Sequence, residues 1–267
     1  MKKTVQTLLG VMLLAIILLT SNTAKSQQSL IQVNGWNAYV HLPSDYSTSK
    51  VYPTIIEFPG LGEVGTNASL VIEYGPGAYI AQGWNGNIGS VEFIVISLQP
   101  SAAYPAVSIT NTAIASLKTL YKIDPNNLFL TGYSEGGWCA SMFASSDPVG
   151  GPYTYASQIK AICTVEGVKP DDNADYPYGF IGFAKNGGKD LCLEQINDGR
   201  DGGTVVNEMD STVANSAYFY QTDFSGGGHC CWSEFYGGGG TAPTSFPVFG
   251  TTQTIYQWFA SLVNPSA

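Results

Sequence analysis

Ser134 lies between two glycines, in the pattern Gly132-x-Ser134-x-Gly136. An apolar run at 128–131 precedes the pattern and predicts a buried strand, and the residues after it favour a helix. In such a strand-to-helix turn the serine hydroxyl is exposed on strained backbone, and the glycines are needed because side chains there would clash. With 31 glycines among 267 residues, this spacing arises by chance about 0.3 times per chain. The surroundings of Ser134 therefore decide whether it is a nucleophile.

A serine hydroxyl is a weak nucleophile until a neighbouring imidazole takes its proton. The chain has only two histidines, His41 and His229. His41 precedes Ser134 and falls in a predicted strand, so we interpret it as a structural or surface residue. His229 follows the glycines at 226–228, after the last predicted strand, and it is the predicted base.

The first 26 residues have the composition of a secretory signal peptide. Two lysines are followed by an apolar run over 7–20, and small residues at 24 and 26 fit cleavage before Gln27. The run is shorter than the roughly 20 residues that a membrane-spanning helix needs. We expect a signal peptide over 1–26, export to the periplasm or the medium, and one catalytic domain over 27–267.

The negative net charge of the chain excludes some classes of binding partner. Removal of the signal peptide reduces Lys and Arg from 11 to 8 against 20 Asp and Glu, for a net charge of −12. Nucleic acid and anionic membranes bind basic surfaces, so neither is a predicted partner. The oligomeric state stays open.

Five cysteines in a chain predicted to be exported permit up to two internal disulfides, and their spacing does not fix the pairing. Cys230 and Cys231 adjoin His229 but lack the second Cys or His pair that a zinc site needs, so no metal or other cofactor is predicted. The other three stand in apolar segments and are interpreted as buried small hydrophobic residues: Cys139, Cys163 and Cys192.

Predicted strands and helices alternate from residue 35 onward, which is typical of a mostly parallel sheet with helices on both faces. The predicted strands are 37–42, 54–58, 93–98, 128–131, 159–165, 191–196 and 217–221. The predicted helices are 109–121, 204–215 and 252–263, with a turn at 124–127. Ser134 therefore follows a buried strand, as its proposed turn requires.

Three segments and one histidine carry a resemblance to a known family. They are Tyr-Val-His-Leu-Pro at 39–43, Tyr-Pro-Thr-Ile-Ile-Glu-Phe-Pro-Gly-Leu-Gly-Glu at 52–63, the block 121–137 around Ser134, and His229. In this order they resemble secreted α/β-hydrolase esterases, a group that includes polyhydroxybutyrate-depolymerase-like and feruloyl- or acetylxylan-esterase-like enzymes. The resemblance implies an α/β-hydrolase fold and a triad in the chain order Ser, acid, His.

The acid that orients His229 should follow the predicted strand 191–196. Asp198 comes directly after that strand and is favoured, while Asp201 stands just before the predicted helix at 204 and remains an alternative. Asp198 is otherwise a loop turn residue and Asp201 a helix N-cap. Asp190 is a more remote third candidate.

Two backbone N–H groups must bind the oxyanion that forms on the substrate. We expect one from Glu135, directly after Ser134, and the other from Leu61 in the loop after strand 54–58. The resembled enzymes usually have a histidine before the loop glycine, and Pro59 stands in that position here. The donor is a main-chain group, so this departure need not abolish the oxyanion hole.

The sequence says less about specificity. Only some two dozen residues separate 167 from 191, which is too few for a large lid domain and predicts an open cleft. Tyr133 and Trp232 adjoin the candidate catalytic residues and are the predicted substrate contacts. Trp138 is more consistent with core packing, and Tyr104 and Trp84 are further candidates for the cleft.

The leading hypothesis is an exported serine esterase that cleaves carboxylic esters of small or polymeric substrates through an acyl-enzyme on Ser134. Polyester depolymerisation or peptide hydrolysis by the same triad is the alternative. A hydrolase-like binding module without activity is a third possibility, because Pro59 departs from the pattern and the acid is not fixed.

Overall fold

A mostly parallel sheet forms the centre of the computed structural model, which describes residues 28–167, 179–200, 202–224 and 227–264. The strands are β1 Gln28–Val33, β2 Trp36–His41, β3 Tyr52–Phe58, β4 Asn87–Ile88, β5 Val91–Glu92, β6 Ile94–Gln99, β7 Ile123–Tyr133, β8 Ala161–Val165, β9 Lys189–Gln195, β10 Ala217–Thr222, β11 Phe246–Val248 and β12 Thr251–Gln253. The α-helices are α1 Gly75–Ala81, α2 Val107–Leu120, α3 Glu135–Ser145, α4 Ile181–Lys185, α5 Gly202–Thr212, α6 Trp232–Tyr236 and α7 Ile255–Leu262.

Eight strands pair in the order β1-β2-β6-β3-β7-β8-β9-β10. The six strands from β6 to β10 are parallel, and β1 and β2 form an antiparallel edge. The central strands read as continuous buried runs, because a parallel sheet is covered on both faces. Their carboxyl ends meet at one edge, where loops from several strands converge.

Helices cover both faces of this sheet. Buried residues of α2, α3, α4 and α5 belong to one apolar cluster, and those of α1, α6 and α7 belong to a second cluster. The predicted α/β class with helices on both faces is confirmed. Within the described ranges, no helix is both long and apolar enough to cross a bilayer.

Most predicted boundaries lie within three residues of those in the structure, and strand pairing explains two of the differences. The predicted turn at 124–127 lies inside β7, where the strand register shifts between the pairs Tyr52–Ile123 and Thr54–Leu128, so the turn residues bulge from the strand. The closing helix begins at Ile255, not at 252, because Thr251–Gln253 pairs with β11. Thr254 then caps the helix, accepting a hydrogen bond from the Gln257 backbone N–H.

Three sequence predictions fall outside the described residues. They are the signal peptide at 1–26, the candidate acid Asp201, and most of the segment after 167 in which no large lid was expected.

The turn between β7 and α3 is packed against the end of β3. A Cβ on Gly136 would lie 2.6 Å from the carbonyl oxygen of Pro59 and closer still to that of Phe58. A Cβ on Gly132 would lie 2.8 Å from the Phe58 oxygen and would also overlap the Gly136 backbone. Real Cβ atoms do not approach carbonyl groups this closely, so both positions require glycine.

Gly136→Ala should therefore destabilise the protein by about 1–3 kcal/mol or more, because the α3 backbone has to move away from β3. The control is Gly150→Ala, since a Cβ there meets nothing within 4 Å. Chemical denaturation would measure both variants. Equal midpoints for Gly136→Ala and the wild type would contradict the close packing of this turn.

Candidate active site

Ser134 occupies a strained turn between β7 and α3. Its backbone has φ 53° and ψ −121°, a conformation that residues other than glycine rarely adopt. The Ser134 N–H donates to the Val165 carbonyl at 3.1 Å, which fixes the turn against the end of β8. Backbone strain of this kind costs about 1–3 kcal/mol and persists only where the surrounding structure enforces it.

His229 lies within hydrogen-bond distance of Ser134. Its Nε2 is 2.8 Å from the Ser134 Oγ, and its Nδ1 is 2.6 Å from Oδ1 of Asp198. A carboxylate only accepts hydrogen bonds, so Nδ1 carries the hydrogen in the neutral ring and Nε2 accepts from the serine hydroxyl. Two consecutive hydrogen bonds thus connect Asp198 to His229 and His229 to Ser134.

The loop that carries Asp198 begins at the end of β9. The Asp198 N–H donates to the Gln195 carbonyl at 3.2 Å, and the Asp198 side chain has no solvent exposure. Arg200 is the nearby cation, with its Nε 3.7 Å from Asp198 Oδ1. Of the two acids that the sequence left open, Asp198 is brought to His229, while Asp201 is not among the described residues.

Gln195 connects this loop to the His229 loop, a contact that sequence reasoning missed. The buried side chain accepts a hydrogen bond from the Phe224 N–H at 2.5 Å and donates to the Cys230 sulfur at 3.0 Å. The Gly228 N–H also donates to the Ile196 carbonyl at 2.8 Å. The end of β9 therefore holds both partners of the Asp198–His229 hydrogen bond.

Glu166 is a second carboxylate beside His229, and its place there was not predicted from the sequence. One of its oxygens lies 3.4 Å from His229 Nδ1, and its side chain has no solvent exposure. Burial, and next the charge of Asp198, raise the pKa of Glu166 to about 8. The available signal was its position directly after the predicted strand 159–165, at the edge of the sheet where Ser134 also lies.

Glu166, Asp198 and His229 also have the spacing of possible metal ligands, and they are the one such group found in the described parts of the chain. Nδ1 and Oδ1 are only 2.6 Å apart, so these two atoms are hydrogen bonded and do not enclose an ion.

Glu135 and Leu61 lie on two segments that touch. Glu135 is the first residue of α3, and Leu61 is the first residue of a short 3-10 helix, Leu61–Glu63. The contact of Gly136 with Pro59 places these segments side by side. Leu61 is 52% exposed, and its N–H donates to no other described residue. Burial raises the pKa of the Glu135 side chain, which accepts a hydrogen bond from the Tyr104 N–H at 2.6 Å.

A cluster of aromatic rings lies on one side of His229. Trp232 and the imidazole form an edge-to-face pair, with ring centroids 5.4 Å apart at 90°. Tyr133 packs on Trp232 at 5.2 Å, and Tyr74 contacts both rings. Tyr133 is 1% exposed, and its hydroxyl donates a hydrogen bond to Glu63 at 3.2 Å. Trp232 is half-buried, so of the two predicted substrate contacts it has the more accessible ring.

The remaining aromatic candidates lie elsewhere. Trp138 is buried, and exposed Tyr104 packs edge-on against it at 5.1 Å. Trp84 stacks on Tyr79 and contacts Tyr256. Its ring contacts within the described ranges include none of the residues around Ser134.

The cysteine pairing that the sequence left open is resolved for all five residues. Cys230 and Cys231 are joined to each other directly after His229, and Cys231 has φ 70° at the start of α6. This bond constrains the short connection between His229 and Trp232. The three other cysteines are free and buried: Cys139, Cys163 and Cys192.

No protein-family model and no curated protein matches the chain. The fold, in contrast, matches solved structures of esterases. A crystal structure of a thermostable esterase gives a TM-score of 0.54 at 13% identity, covering 90% of this chain and 60% of that one. Thermogutta terrifontis esterase 2, phosphorylated by paraoxon, gives 0.52 at 13% identity, with 82% and 88% covered. A bacterial heroin esterase gives 0.52 at 14% identity, with 85% and 82% covered.

The chain therefore has the α/β-hydrolase fold that its sequence predicts. It spans 60% of the length of the thermostable esterase. At these identities the similarity establishes the fold, and the activity has to be argued from the site.

Proposed function

We propose that the chain is a serine hydrolase of carboxylic esters, with Ser134 as nucleophile, His229 as base and Asp198 as the acid that orients the base. The observation that carries this proposal is the line of hydrogen bonds from Ser134 Oγ through His229 to Asp198, at 2.8 and 2.6 Å. A serine in a strained strand-to-helix turn with both partners in place is the arrangement that nucleophilic catalysis needs.

The reaction proceeds in two halves. Ser134 Oγ attacks the ester carbonyl carbon while its proton passes to His229 Nε2. The tetrahedral intermediate collapses, the alcohol leaves with the proton from Nε2, and an acyl group remains on Ser134. Water then repeats the sequence on the acyl-enzyme and releases the carboxylic acid. Asp198 stabilises the imidazolium that forms in each half, because its carboxylate accepts the Nδ1 hydrogen bond.

The developing oxyanion is bound by the backbone N–H groups of Glu135 and Leu61. The N-terminus of α3 adds the positive end of a helix dipole at Glu135. Pro59 does not remove either donor. Its carbonyl instead contacts the first turn of α3 and fixes the loop that carries Leu61.

The esterase structures that share this fold support an ester as the substrate class. Polyester and peptide hydrolysis would use the same three residues, and no contact in the described part of the chain favours either of them. A binding module without activity would not need the hydrogen-bonded Ser134–His229 pair. The predicted signal peptide supports action on small or polymeric esters after export, and Trp232 is the proposed contact for the substrate next to His229.

Ser134→Ala should abolish hydrolysis of p-nitrophenyl acetate and butyrate, with a fall in kcat of about 10⁴-fold or more. Ser108→Ala is the matched control, because Ser108 is an exposed serine at the start of α2. Release of p-nitrophenol measures both variants. Turnover by Ser134→Ala at the wild-type rate would refute the esterase assignment.

Asp198→Asn should lower kcat at least about 100-fold, because an amide no longer favours the Nδ1–H form of His229 or stabilises its imidazolium. Asp201→Asn is the control and should retain wild-type kcat. The same ester assay distinguishes the two acids. Loss of activity in Asp201→Asn with retention in Asp198→Asn would reverse the assignment.

Leu61→Pro should lower kcat by about 10²–10³-fold, because proline removes the second oxyanion donor. Gly60 is extended at φ −70° and ψ 175° and Leu61 opens a helix, so proline fits this position without breaking the loop. Leu61→Ala keeps the N–H and is the control. Equal kcat values for the two variants would exclude Leu61 as a donor.

A further inference from the structure

Two carboxyl groups converge on one ring nitrogen of His229. Asp198 lies 2.6 Å from Nδ1 and Glu166 lies 3.4 Å from it, and the three side chains have atoms within 4.8 Å of one another. Nδ1 carries a single hydrogen, and the shorter distance assigns that hydrogen to Asp198. Glu166 is therefore held beside the Asp198–His229 pair without a share in that hydrogen bond.

Both carboxyl side chains are fully buried, and part of their hydrogen-bonding capacity is unused. Asp198 Oδ2 and both oxygens of Glu166 lack a hydrogen bond of ordinary geometry among the described residues. The Cys230 backbone N–H makes a weaker contact with Glu166, which lowers the pKa of that carboxyl. Two carboxylates this close and this buried do not both stay ionised, because the repulsion between them is not screened by water. A proton between Glu166 and Asp198 would satisfy one oxygen of each.

The charges around Glu166 favour that proton. Burial is the largest influence that raises the pKa of Glu166 to about 8, the charge of Asp198 is the next, and Glu194 adds a smaller contribution. The Arg200 guanidinium and the Cys230 backbone N–H act in the opposite direction and are the weaker influences overall. Arg200 is one-third exposed and lies 3.7 Å from Asp198, so it compensates one negative charge but not two.

The backbone at Glu166 is held in an unusual conformation. Glu166 has φ 47°, in the left-handed region that glycine and asparagine favour, directly after β8. Its N–H donates to the Leu193 carbonyl at 2.7 Å, and the next residue, Gly167, packs against Gly137 of α3. Glycine would satisfy this backbone with less strain, so the Glu166 side chain has a role beyond the turn.

We propose that Glu166 is a positioning residue that donates a carboxyl O–H to Asp198 and keeps a single negative charge behind His229. This rests on the proposed function, in which His229 takes the proton of Ser134. When His229 becomes an imidazolium, its positive charge is balanced by the Asp198 carboxylate, and the two side chains together are neutral. Loss of the Glu166 proton places two negative charges behind the ring, and these repel each other in a buried space.

Replacement of Glu166 by glutamine or by alanine distinguishes a positioning role from that of an ionised triad acid and from a purely structural role. Glu166→Gln offers an N–H donor in place of the carboxyl O–H and should keep kcat at pH 7 within about threefold. Glu166→Ala leaves Asp198 without its partner and should lose about 10–100-fold in kcat with little change in KM, because the acid and the imidazole shift. A loss of kcat in Glu166→Gln as large as in Ser134→Ala would overturn the proposal, since it would make Glu166 an ionised triad acid. Unchanged kcat in Glu166→Ala would overturn it as well, by leaving the residue a purely structural role.

The NMR signal of the His229 ring provides a readout that does not depend on turnover. The chain has two histidines, so a ¹³C-histidine NMR spectrum contains two imidazole signals, and the one lost in His229→Gln is assigned to His229. In the wild type the chemical shift of this signal should show an inflection near pH 8, where Glu166 loses its proton. The inflection should disappear in Glu166→Gln.

The control variant is Glu57→Gln. Burial also raises the pKa of Glu57 to about 8, but its carboxylate packs near Gly75 and Ser97. The inflection should therefore persist in Glu57→Gln, and its persistence in Glu166→Gln would overturn the proposal. Wild-type activity in Ser134→Ala would refute the esterase function while leaving the shared proton of Glu166 and Asp198 to the NMR titration.

Discussion

The approach of the first turn of α3 to the end of β3 is the contact on which the site depends. Gly132 and Gly136 leave room for the carbonyl groups of Phe58 and Pro59, and any side chain there would overlap them. The same approach forces Ser134 into its strained backbone and places the loop of Leu61 beside the first N–H groups of α3. One steric constraint thus exposes the proposed nucleophile and places the two expected oxyanion donors side by side.

The electrostatics of the site depend on how much negative charge collects behind His229. A single carboxylate orients the imidazole and stabilises its protonated form, whereas two ionised carboxylates would repel each other in a buried space. Asp198 and Glu166 are both buried there, with Arg200 as the nearby cation. The proposed proton on Glu166 reconciles this burial with a single negative charge behind the ring.

The position of His229, the proposed base, is supported by the end of β9. Gln195, at the end of β9, hydrogen bonds the Phe224 backbone and the Cys230 sulfur, and the Cys230–Cys231 bond then leads into α6 with Trp232. These contacts, with the hydrogen bond from the Gly228 N–H to the Ile196 carbonyl, hold the residues on either side of His229. The position of His229 therefore depends on partners that are distant in sequence.

Local patterns determined much of this protein. The alternation of apolar segments predicted the sheet with helices on both faces, and spacing identified Ser134 and His229, because a strand-to-helix turn and a glycine turn leave local signatures. The sequence favoured Asp198 over Asp201 from its position after a strand, and the fold places the Asp198 carboxylate 2.6 Å from His229. Glu166, Gln195 and the cysteine pairing were decided only by tertiary structure. Their roles arise where the ends of parallel strands meet, and the pairing of those strands brings together residues that no local spacing connects.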